Sequence, residues 1–347
     1  MTFDDPVSGS SSQRPIAVTM GEPAGIGGEI TCLAWARHSR ELPPFVLIDD
    51  PDRIANLAAT VGHPINVKAV SNAKEAVAVW PNALPVIPVS LNAPAEPGRI
   101  NPENAPAVIA SLDRAIALAT NGEVAGLVTN PIQKSALYAA GFDAPGHTEY
   151  LAKATQASGA PVMMLAGPEL RVVPVTIHSS LADAARDLRT EDIVHCALVA
   201  AEALRRDFAI TQPRLAIAAL NPHAGEDGAL GTEEATVIAP AVVAIRAAGI
   251  EVSGPAAADT MFHPEARQTY DAAICMYHDQ ALIPLKMLDF HRSVNITLGL
   301  PIVRTSPDHG TALGIAGAGR ANPTSFIEAV KLASLLAARR QASATPA

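Results

Sequence analysis

The chain has 347 residues, 49% of them hydrophobic and 17% charged, which is enough for two modest domains or one large α/β unit with a buried core. The formal net charge of −9 argues against non-specific nucleic-acid binding, although it is compatible with a local basic pocket for a phosphate. Cys32, Cys196 and Cys275 form no CxxC pair, so we expect no disulfide framework and a cytoplasmic location. The sequence shows neither a signal peptide nor an apolar run of membrane-spanning length, so no membrane partner is expected.

Short runs of β-branched residues alternate with alanine-rich segments along the chain. Ile16–Met20 predicts a strand, and Gly25–Ala36 predicts the helix that follows it. Further strands are predicted at Phe45–Ile48, Val124–Val128, Arg171–Ile177, Leu215–Leu220 and Ala272–Met276. Further helices are predicted at Glu103–Thr120, Glu191–Arg206 and Thr232–Ala248. The alternation predicts an α/β protein with parallel sheets covered by helices on both faces.

Three segments lie outside this pattern. Residues 82–102 are rich in proline, glycine and asparagine, and we interpret them as a long excursion within a domain. Residues 1–14 and 339–347 are polar or small, and we expect both to be mobile tails.

Three histidines follow predicted strands. His178 follows the strand at 171–177, His223 follows the strand at 215–220, and His278 follows the strand at 272–276. Ligands of α/β sheets bind beyond the carboxyl ends of the strands, and imidazole suits zinc and its first-row neighbours. Each histidine alone is better explained as a structural residue, but their shared position favours convergence on one divalent ion.

A second group contains Lys286, Asn295 and Arg304, within a segment rich in glycine, proline and strand-forming residues. Cations in apolar sequence need an anionic partner, so this group predicts a site for a negatively charged ligand. Ion pairs within the chain are an equally good explanation, and their acceptors would be Asp279, Asp289 or Asp308.

The run Gly146-His147-Thr148-Glu149 opens a predicted helix. Backbone N–H groups and a threonine hydroxyl at a helix start can bind an anion. Taken by itself, this run is better explained as a helix cap.

Glycines also follow the first strand, in the run from Gly21 to Glu29. The run fails the dinucleotide fingerprint, because Ile30 stands where a third glycine would follow Gly25 and Gly27, and no Walker lysine is present. It predicts a tight strand-to-helix turn that could approach a ligand. The residues alone therefore predict a metal site and an anion site in an α/β enzyme, without indicating nicotinamide.

Several motifs, in this order and spacing, resemble the 4-hydroxythreonine-4-phosphate dehydrogenase family of pyridoxal phosphate biosynthesis. The resemblance covers roughly residues 15–335. It is carried by Met20-Gly-Glu-Pro-Ala-Gly-Ile-Gly27, Pro145-Gly-His-Thr-Glu149, Leu220-Asn-Pro-His-Ala-Gly-Glu226, Gly231-Thr-Glu-Glu234, Pro255 to Thr260, Met276-Tyr-His-Asp-Gln280, Val294-Asn-Ile-Thr-Leu-Gly-Leu-Pro301, Arg304-Thr-Ser306 and Asp308-His-Gly-Thr-Ala312.

The resemblance implies a fold like that of the isocitrate and isopropylmalate dehydrogenases, with two α/β/α domains flanking a cleft. The expected first domain is 15–140 with 300–338, and the expected second domain is 141–299, which would carry the metal and dimer contacts. A homodimer is implied in which each active site takes residues from both subunits.

The resemblance also assigns roles to residues. It implies that His178, His223 and His278 bind one divalent metal ion (zinc, magnesium, cobalt or manganese). The positions that match substrate contacts are His147, Thr148, Lys286, Asn295 and Arg304. The cofactor is NAD or NADP, with Asp308, Gly310 and Thr311 expected on its adenosine side. Lys286 and Asp259 are the candidates for the catalytic base.

The implied reaction is oxidation and decarboxylation of 4-phosphooxy-L-threonine to 3-amino-2-oxopropyl phosphate. A paralogous dehydrogenase of threonate or erythronate 4-phosphate would share every motif named above. A metal-dependent hydrolase or lyase of a small phosphorylated metabolite, without nicotinamide, is an alternative from another class. A non-catalytic protein that binds a phosphorylated metabolite is a third.

Overall fold

A computed structural model describes residues 14–144 and 146–344 of the chain. The predicted N-terminal tail at 1–14 lies outside these residues except for Arg14. Among the described helices, none has the length and apolar character needed to cross a membrane. The predicted α/β class is confirmed, because strands and helices alternate along the chain.

The described part of the chain contains twelve strands. They are β1 (Ile16–Thr19), β2 (Phe45–Asp49), β3 (Val67–Ala69), β4 (Leu84–Pro88), β5 (Gly126–Val128), β6 (Val162–Ala166), β7 (Arg171–Pro174), β8 (Arg214–Ala218), β9 (Glu251–Ala256), β10 (Ala272–Cys275), β11 (Val294–Leu298) and β12 (Arg304–Pro307).

The α-helices are α1 (Gly27–His38), α2 (Pro51–Thr60), α3 (Ala73–Val79), α4 (Ala105–Thr120), α5 (Lys134–Ala139), α6 (His147–Ala154), α7 (Leu181–Asp187), α8 (Thr190–Arg206), α9 (Ala239–Ala247), α10 (Pro264–Arg267), α11 (His278–Leu288) and α12 (Thr324–Ala344). A π-helical turn at Glu234–Ile238 runs directly into α9, so the predicted helix at 232–248 is divided into two types of turn.

The chain divides into two compact units. The first contains the described residues up to Pro161 together with Leu300–Ala338, and the second contains Val162–Gly299 and the described residues from Arg339 onward. Phe142 and Leu151, which fall in the range expected for the other domain, join the buried core of the first unit.

The strands of the first unit are all parallel, in the order β3-β4-β2-β1-β5-β12. Strand β1 is buried along its full length, as expected for a parallel strand covered on both faces. Strand β4 lies within the segment interpreted as an excursion. Its two prolines, Pro85 and Pro88, obscured the strand pattern.

The strands of the second unit have the order β11-β6-β7-β10-β8-β9. Strands β7, β10, β8 and β9 are parallel, but β6 is antiparallel to both β11 and β7. The expectation of wholly parallel sheets is therefore wrong for this unit. The reason is local, because β6 and β7 are joined by a turn closed by a hydrogen bond from Gly167 N to Leu170 O at 2.9 Å.

Helix α12 continues into the segment expected to be a mobile tail. In the second unit, Arg340 donates to both carboxylate oxygens of Asp207, at 2.9 and 2.7 Å, and Arg339 donates to the carbonyl of Phe208 at 3.0 Å. Because Asp207 is buried, this ion pair ties the end of α12 to the residues that follow α8.

Candidate active site

Arg304 is the first residue of β12 and is 5% exposed. Its Nε and Nη2 donate to the hydroxyl of Thr129, at 3.1 and 2.6 Å. Burial lowers the pKa of the guanidinium to about 10, against the opposing effect of the Glu149 carboxylate, so the group is charged at neutral pH. The first unit therefore presents a buried, oriented cation after β5, where Thr129 is the first residue beyond the strand.

The positive charge of Arg304 also acts on His147, the first residue of α6. Gly146 is the N-cap residue, so neither His147 nor Thr148 occupies the capping position, and within the described residues no side chain caps this helix. Burial lowers the pKa of His147 well below its usual range, and the charges of Arg304 and Lys134 lower it further. A neutral imidazole beside two cations and a helix N-terminus is an environment that suits an anion.

The loop expected to contact the cofactor packs against the glycine-rich turn after β1. The N–H of Ile26 donates to the carbonyl of Thr311 at 3.0 Å, and a side chain at Gly25 would lie 2.9 Å from that carbonyl. Gly25 is therefore required for close approach of these two backbones. The Asp308 N–H donates to Ser325 Oγ at 3.0 Å, which fixes the start of the loop on α12.

In the second unit, the three histidines follow neighbouring parallel strands. The order β7-β10-β8 places their carboxyl ends side by side, and the register pairs Ile274 of β10 with Val173 and Ile217. The histidines come four, three and five residues after the ends of β7, β10 and β8, so the strands are shorter than predicted. All three histidines nevertheless belong to one edge of the sheet.

The ring centroids of His178 and His278 are 6.4 Å apart. Nδ1 of His278 lies 2.7 Å from the Asp279 carboxylate, and Nδ1 of His223 lies 3.6 Å from the Glu226 carboxylate. A carboxylate on Nδ1 leaves Nε2 as the donor atom for a ligand, a pattern common among metal-binding histidines. Within the described part of the chain, however, no three His, Cys, Asp or Glu side chains are grouped closely enough to hold a metal ion.

His223 lies on an unusual turn. Residues 223–227 all have positive φ, between 45° and 80°, and His223 is 68% exposed. The turn is held by Glu234, which is 7% exposed. One oxygen of Glu234 accepts hydrogen bonds from the N–H groups of Leu220 and Asn221, at 2.9 and 2.7 Å. The other accepts from Asn221 Nδ2 at 3.0 Å.

Gln280 joins the same edge from inside α11. It accepts a hydrogen bond from Met276 N and donates one to Ala219 O, each at 2.7 Å, so it links the ends of β10 and β8. Asp259 lies on a turn three residues after the end of β9 and is exposed. It therefore belongs to the same edge as the histidines.

Two further predicted residues lie in the second unit. Lys286 is on α11, where its Nζ is 5.0 Å from the centre of the Phe290 ring. Asn295 is on β11, and its Oδ1 is buried without a hydrogen-bond partner among the described residues. A buried acceptor of this kind fits a ligand that donates a hydrogen bond.

The sequence reasoning missed four residues of these groups, which are Thr129, Lys134, Glu234 and Gln280. The first two lie in the segment after β5, whose position beside Arg304 depends on the pairing of β5 with β12. Glu234 and Gln280 fell within motifs of the family resemblance, but their hydrogen bonds depend on the fold.

Three comparisons with known proteins agree. The family described as "Pyridoxal phosphate biosynthetic protein PdxA" matches residues 41–333. The chain is 55% identical to 4-hydroxythreonine-4-phosphate dehydrogenase of Caulobacter vibrioides, over 95% of this chain and 99% of that protein. A crystal structure of 4-hydroxythreonine-4-phosphate dehydrogenase from Klebsiella pneumoniae matches with a TM-score of 0.86 and 40% identity, over 94% and 100% of the two chains.

A more distant structure shares the fold. A terephthalate 1,2-cis-dihydrodiol dehydrogenase from Burkholderia xenovorans matches with a TM-score of 0.61 and 26% identity, over 93% of this chain and 98% of that one.

Proposed function

The chain belongs to the family of pyridoxal phosphate biosynthetic protein PdxA, and we propose that it oxidises and decarboxylates 4-phosphooxy-L-threonine to 3-amino-2-oxopropyl phosphate. The prediction of a dehydrogenase is confirmed by the relatives of that name, which reach 55% identity over nearly the whole chain. Because these relatives are named dehydrogenases, they argue against a hydrolase or lyase that works without nicotinamide. They argue equally against a protein that only binds a metabolite.

We propose that the first unit binds the negatively charged part of the substrate. The observation that carries this is the buried Arg304, oriented by Thr129 and next to the uncapped start of α6. A guanidinium in this setting forms strong, directional bonds to phosphate or carboxylate oxygens. Thr148 would add a hydroxyl donor, and the neutral His147 a ring N–H.

In the second unit, Lys286 would bind another negative group of the substrate. The buried Oδ1 of Asn295 supports a contact with a substrate donor, such as a hydroxyl or the ammonium group.

We also propose that His178, His223 and His278 bind one divalent metal ion. The carboxylates beside Nδ1 of His278 and His223 support it, because they leave both Nε2 atoms as donors. The exposed turn of His223 would have to bring the third imidazole to the other two. When bound, a divalent ion supplies a Lewis acid that polarises an oxygen of the substrate.

The proposed reaction begins when a base of the chain takes the proton from the C3 hydroxyl. Lys286 and Asp259 remain the two candidates for that base. When bound, NAD or NADP would supply the hydride acceptor for oxidation of C3 to the ketone. The resulting β-keto acid loses its carboxyl group as CO₂, and the electron pair left on C2 is protonated to give the amino ketone. The charge of Arg304 keeps the substrate in place through both steps.

For the cofactor, we propose that the loop containing Asp308, Gly310 and Thr311 contacts the adenosine side. The support is its close packing on the glycine-rich turn after β1, through the contact of Gly25 and Ile26 with Thr311. A backbone fixed from both sides is a rigid platform for a ligand.

We also propose a homodimer in which each active site takes residues from both subunits. Helix α11, which carries His278 and Lys286, exposes Ile283 and Met287, which are 61% and 81% exposed, and Phe290 just beyond it is 64% exposed. Large apolar side chains on one exposed face favour contact with another protein surface.

A substrate panel tests the proposal. Purified protein is incubated with 4-phosphooxy-L-threonine, threonate 4-phosphate or erythronate 4-phosphate, with NAD or NADP, before and after chelation. We expect reduced nicotinamide, CO₂ and an amino ketone from the first substrate, and loss of turnover on chelation. Turnover of a sugar acid phosphate alone would favour the paralogous dehydrogenase. The fold also occurs in a dehydrogenase of a dihydrodiol at 26% identity, so dehydrogenases of this fold can differ in substrate.

A further inference from the structure

A cavity of about 500 Å³ opens in the second unit, at the edge of the sheet opposite to the histidines. Arg171 is the first residue of β7, Arg214 is the first residue of β8, and Asp271 directly precedes β10. All three line the cavity, so it lies at the amino ends of the strands whose carboxyl ends lead to His178, His223 and His278. It is therefore separate from the proposed metal site.

The cavity wall is rich in guanidinium groups. Arg171, Arg214 and Arg267 line it together with two carboxylates, those of Glu169 and Asp271. The Asp271 carboxylate accepts hydrogen bonds from Arg214 Nε and Nη2, at 3.3 and 3.1 Å. Burial lowers the pKa of Arg171, and Asp271 opposes this effect. Arg171 itself donates to the backbone carbonyl of Asp271 at 3.0 Å. With three guanidinium groups against two carboxylates, the wall carries a net positive charge.

Arg267 is the least satisfied of these groups. Its side chain is 10% exposed, and Nε has no hydrogen-bond partner among the described residues. Nη1 lies 2.9 Å from Glu169 Oε2, but at an angle outside hydrogen-bond geometry. The Glu169 side chain is 65% exposed, so it can move into solvent and release the guanidinium. A buried cation with unmade hydrogen bonds favours an anionic ligand.

We propose that this cavity is a second anion site, which binds a small organic metabolite through a phosphate or carboxylate group. Arg267 and Arg214 donate to the anionic group, and Glu169 competes with the ligand for Arg267. The apolar part of the ligand packs on Leu170 and Tyr270, which also line the cavity. The volume is in the range of sites for small metabolites.

Arginine footprinting tests the site locally. The protein is treated with phenylglyoxal in the presence of increasing inorganic phosphate or, in a parallel series, citrate, and modification of each arginine is measured by peptide mass spectrometry. We expect saturable protection of Arg214 and Arg267 and none of Arg205, an exposed residue of α8. Protection at lower phosphate than citrate identifies a phosphate site, and the reverse order a carboxylate site. No protection at Arg214 by either anion overturns the proposal.

Two variants give opposite expected shifts. Glu169→Gln removes the competing carboxylate, and it should lower the anion concentration for half-protection of Arg214 by about fivefold. Arg267→Ala should raise that concentration by at least about tenfold. Neither residue belongs to the proposed catalytic groups, so turnover should be unchanged in both. If Glu169→Gln leaves half-protection unchanged in a folded, active protein, Glu169 does not face an anion site and the proposal fails.

Discussion

The carboxylate of Glu234 accepts a hydrogen bond from the backbone N–H of Asn221 at 2.7 Å, two residues before His223. Burial raises the pKa of Glu234, but the hydrogen bonds from Asn221 and Leu220 outweigh it, so the pKa is lowered and the group is ionised at neutral pH. Gly225 is held so close that an added side-chain carbon would lie 2.6 Å from Glu234 Oε2. Glu234 therefore fixes the turn that presents His223.

Replacement of Glu234 by Ala should destabilise the protein and loosen this turn. The backbone N–H groups of Leu220 and Asn221 lose their acceptor, and Asn221 Nδ2 keeps only its bond to Glu233, so we expect a loss of about 3 kcal/mol in the free energy of unfolding, measured with urea. The concentration of divalent metal needed for half-maximal activity should rise, because one proposed ligand is no longer held.

The Glu234→Gln variant distinguishes the loss of protein stability from the displacement of His223. Glutamine keeps one oxygen for the two backbone donors but loses the acceptor for Asn221 Nδ2. It should recover most of the stability while metal dependence stays shifted. Glu202→Gln on the exposed face of α8 is the matched control and should change neither. If both Glu234 variants reach half-maximal activity at the same metal concentration as the unchanged protein, this turn does not hold a metal ligand.

The Arg304→Lys variant tests whether Arg304 binds the negatively charged part of the substrate. Lysine keeps the positive charge but cannot reproduce the two bonds to Thr129 while also presenting planar donors to a substrate. We expect kcat/KM for the phosphorylated substrate to fall by about 10- to 100-fold, as expected for loss of a charge-assisted bond. Arg114→Lys, at an exposed position on α4, should have no effect. An unchanged kcat/KM in Arg304→Lys places the substrate anion elsewhere.

The position of His178, His223 and His278 at one edge of the sheet could be predicted from the sequence, because a histidine a few residues past a strand belongs to that edge whatever the exact strand length. The predicted ends of β7, β8 and β10 were one to three residues too late. Beyond the end of β7, Val175 N still donates to Cys275 O and Thr176 N to Met276 O. The grouping of Arg304 with Thr129 was not accessible. It requires the pairing of β5 with β12, which brings Arg304 next to Thr129 although the two residues are 175 positions apart in the chain.

The antiparallel strand β6 also escaped prediction, for a different physical reason. Its sequence, Val162–Ala166, is apolar and β-forming, but so short an apolar run does not indicate whether the strand is parallel or antiparallel to its neighbours. Its direction is set by its hairpin with β7 and by its register with β11, in which Asn295 faces Leu165.

The lowered pKa of His147 predicts a pH dependence of stability. The unfolded chain binds a proton near the ordinary histidine pKa of about 6.5, whereas the folded protein does not until a lower pH. The free energy of unfolding therefore decreases as the pH falls below about 6.5, by at most about 1.4 kcal/mol per pH unit. His147→Gln should remove this part of the dependence, which is measured by urea unfolding between pH 7 and 5. His63→Gln, at a partly exposed histidine near α2, is the control.

The exposed side chains on α11 predict how the dimer would be broken. A carboxylate at Met287 would have to be buried in an apolar contact between subunits, which is strongly unfavourable. We expect Met287→Glu to behave as a folded monomer in light scattering and to lose activity, because the proposed site needs residues from both subunits. Val243→Glu adds the same charge at a 65% exposed position on α9, and it should remain dimeric and active. A monomeric Met287→Glu variant with full activity would show that each active site is complete within one chain.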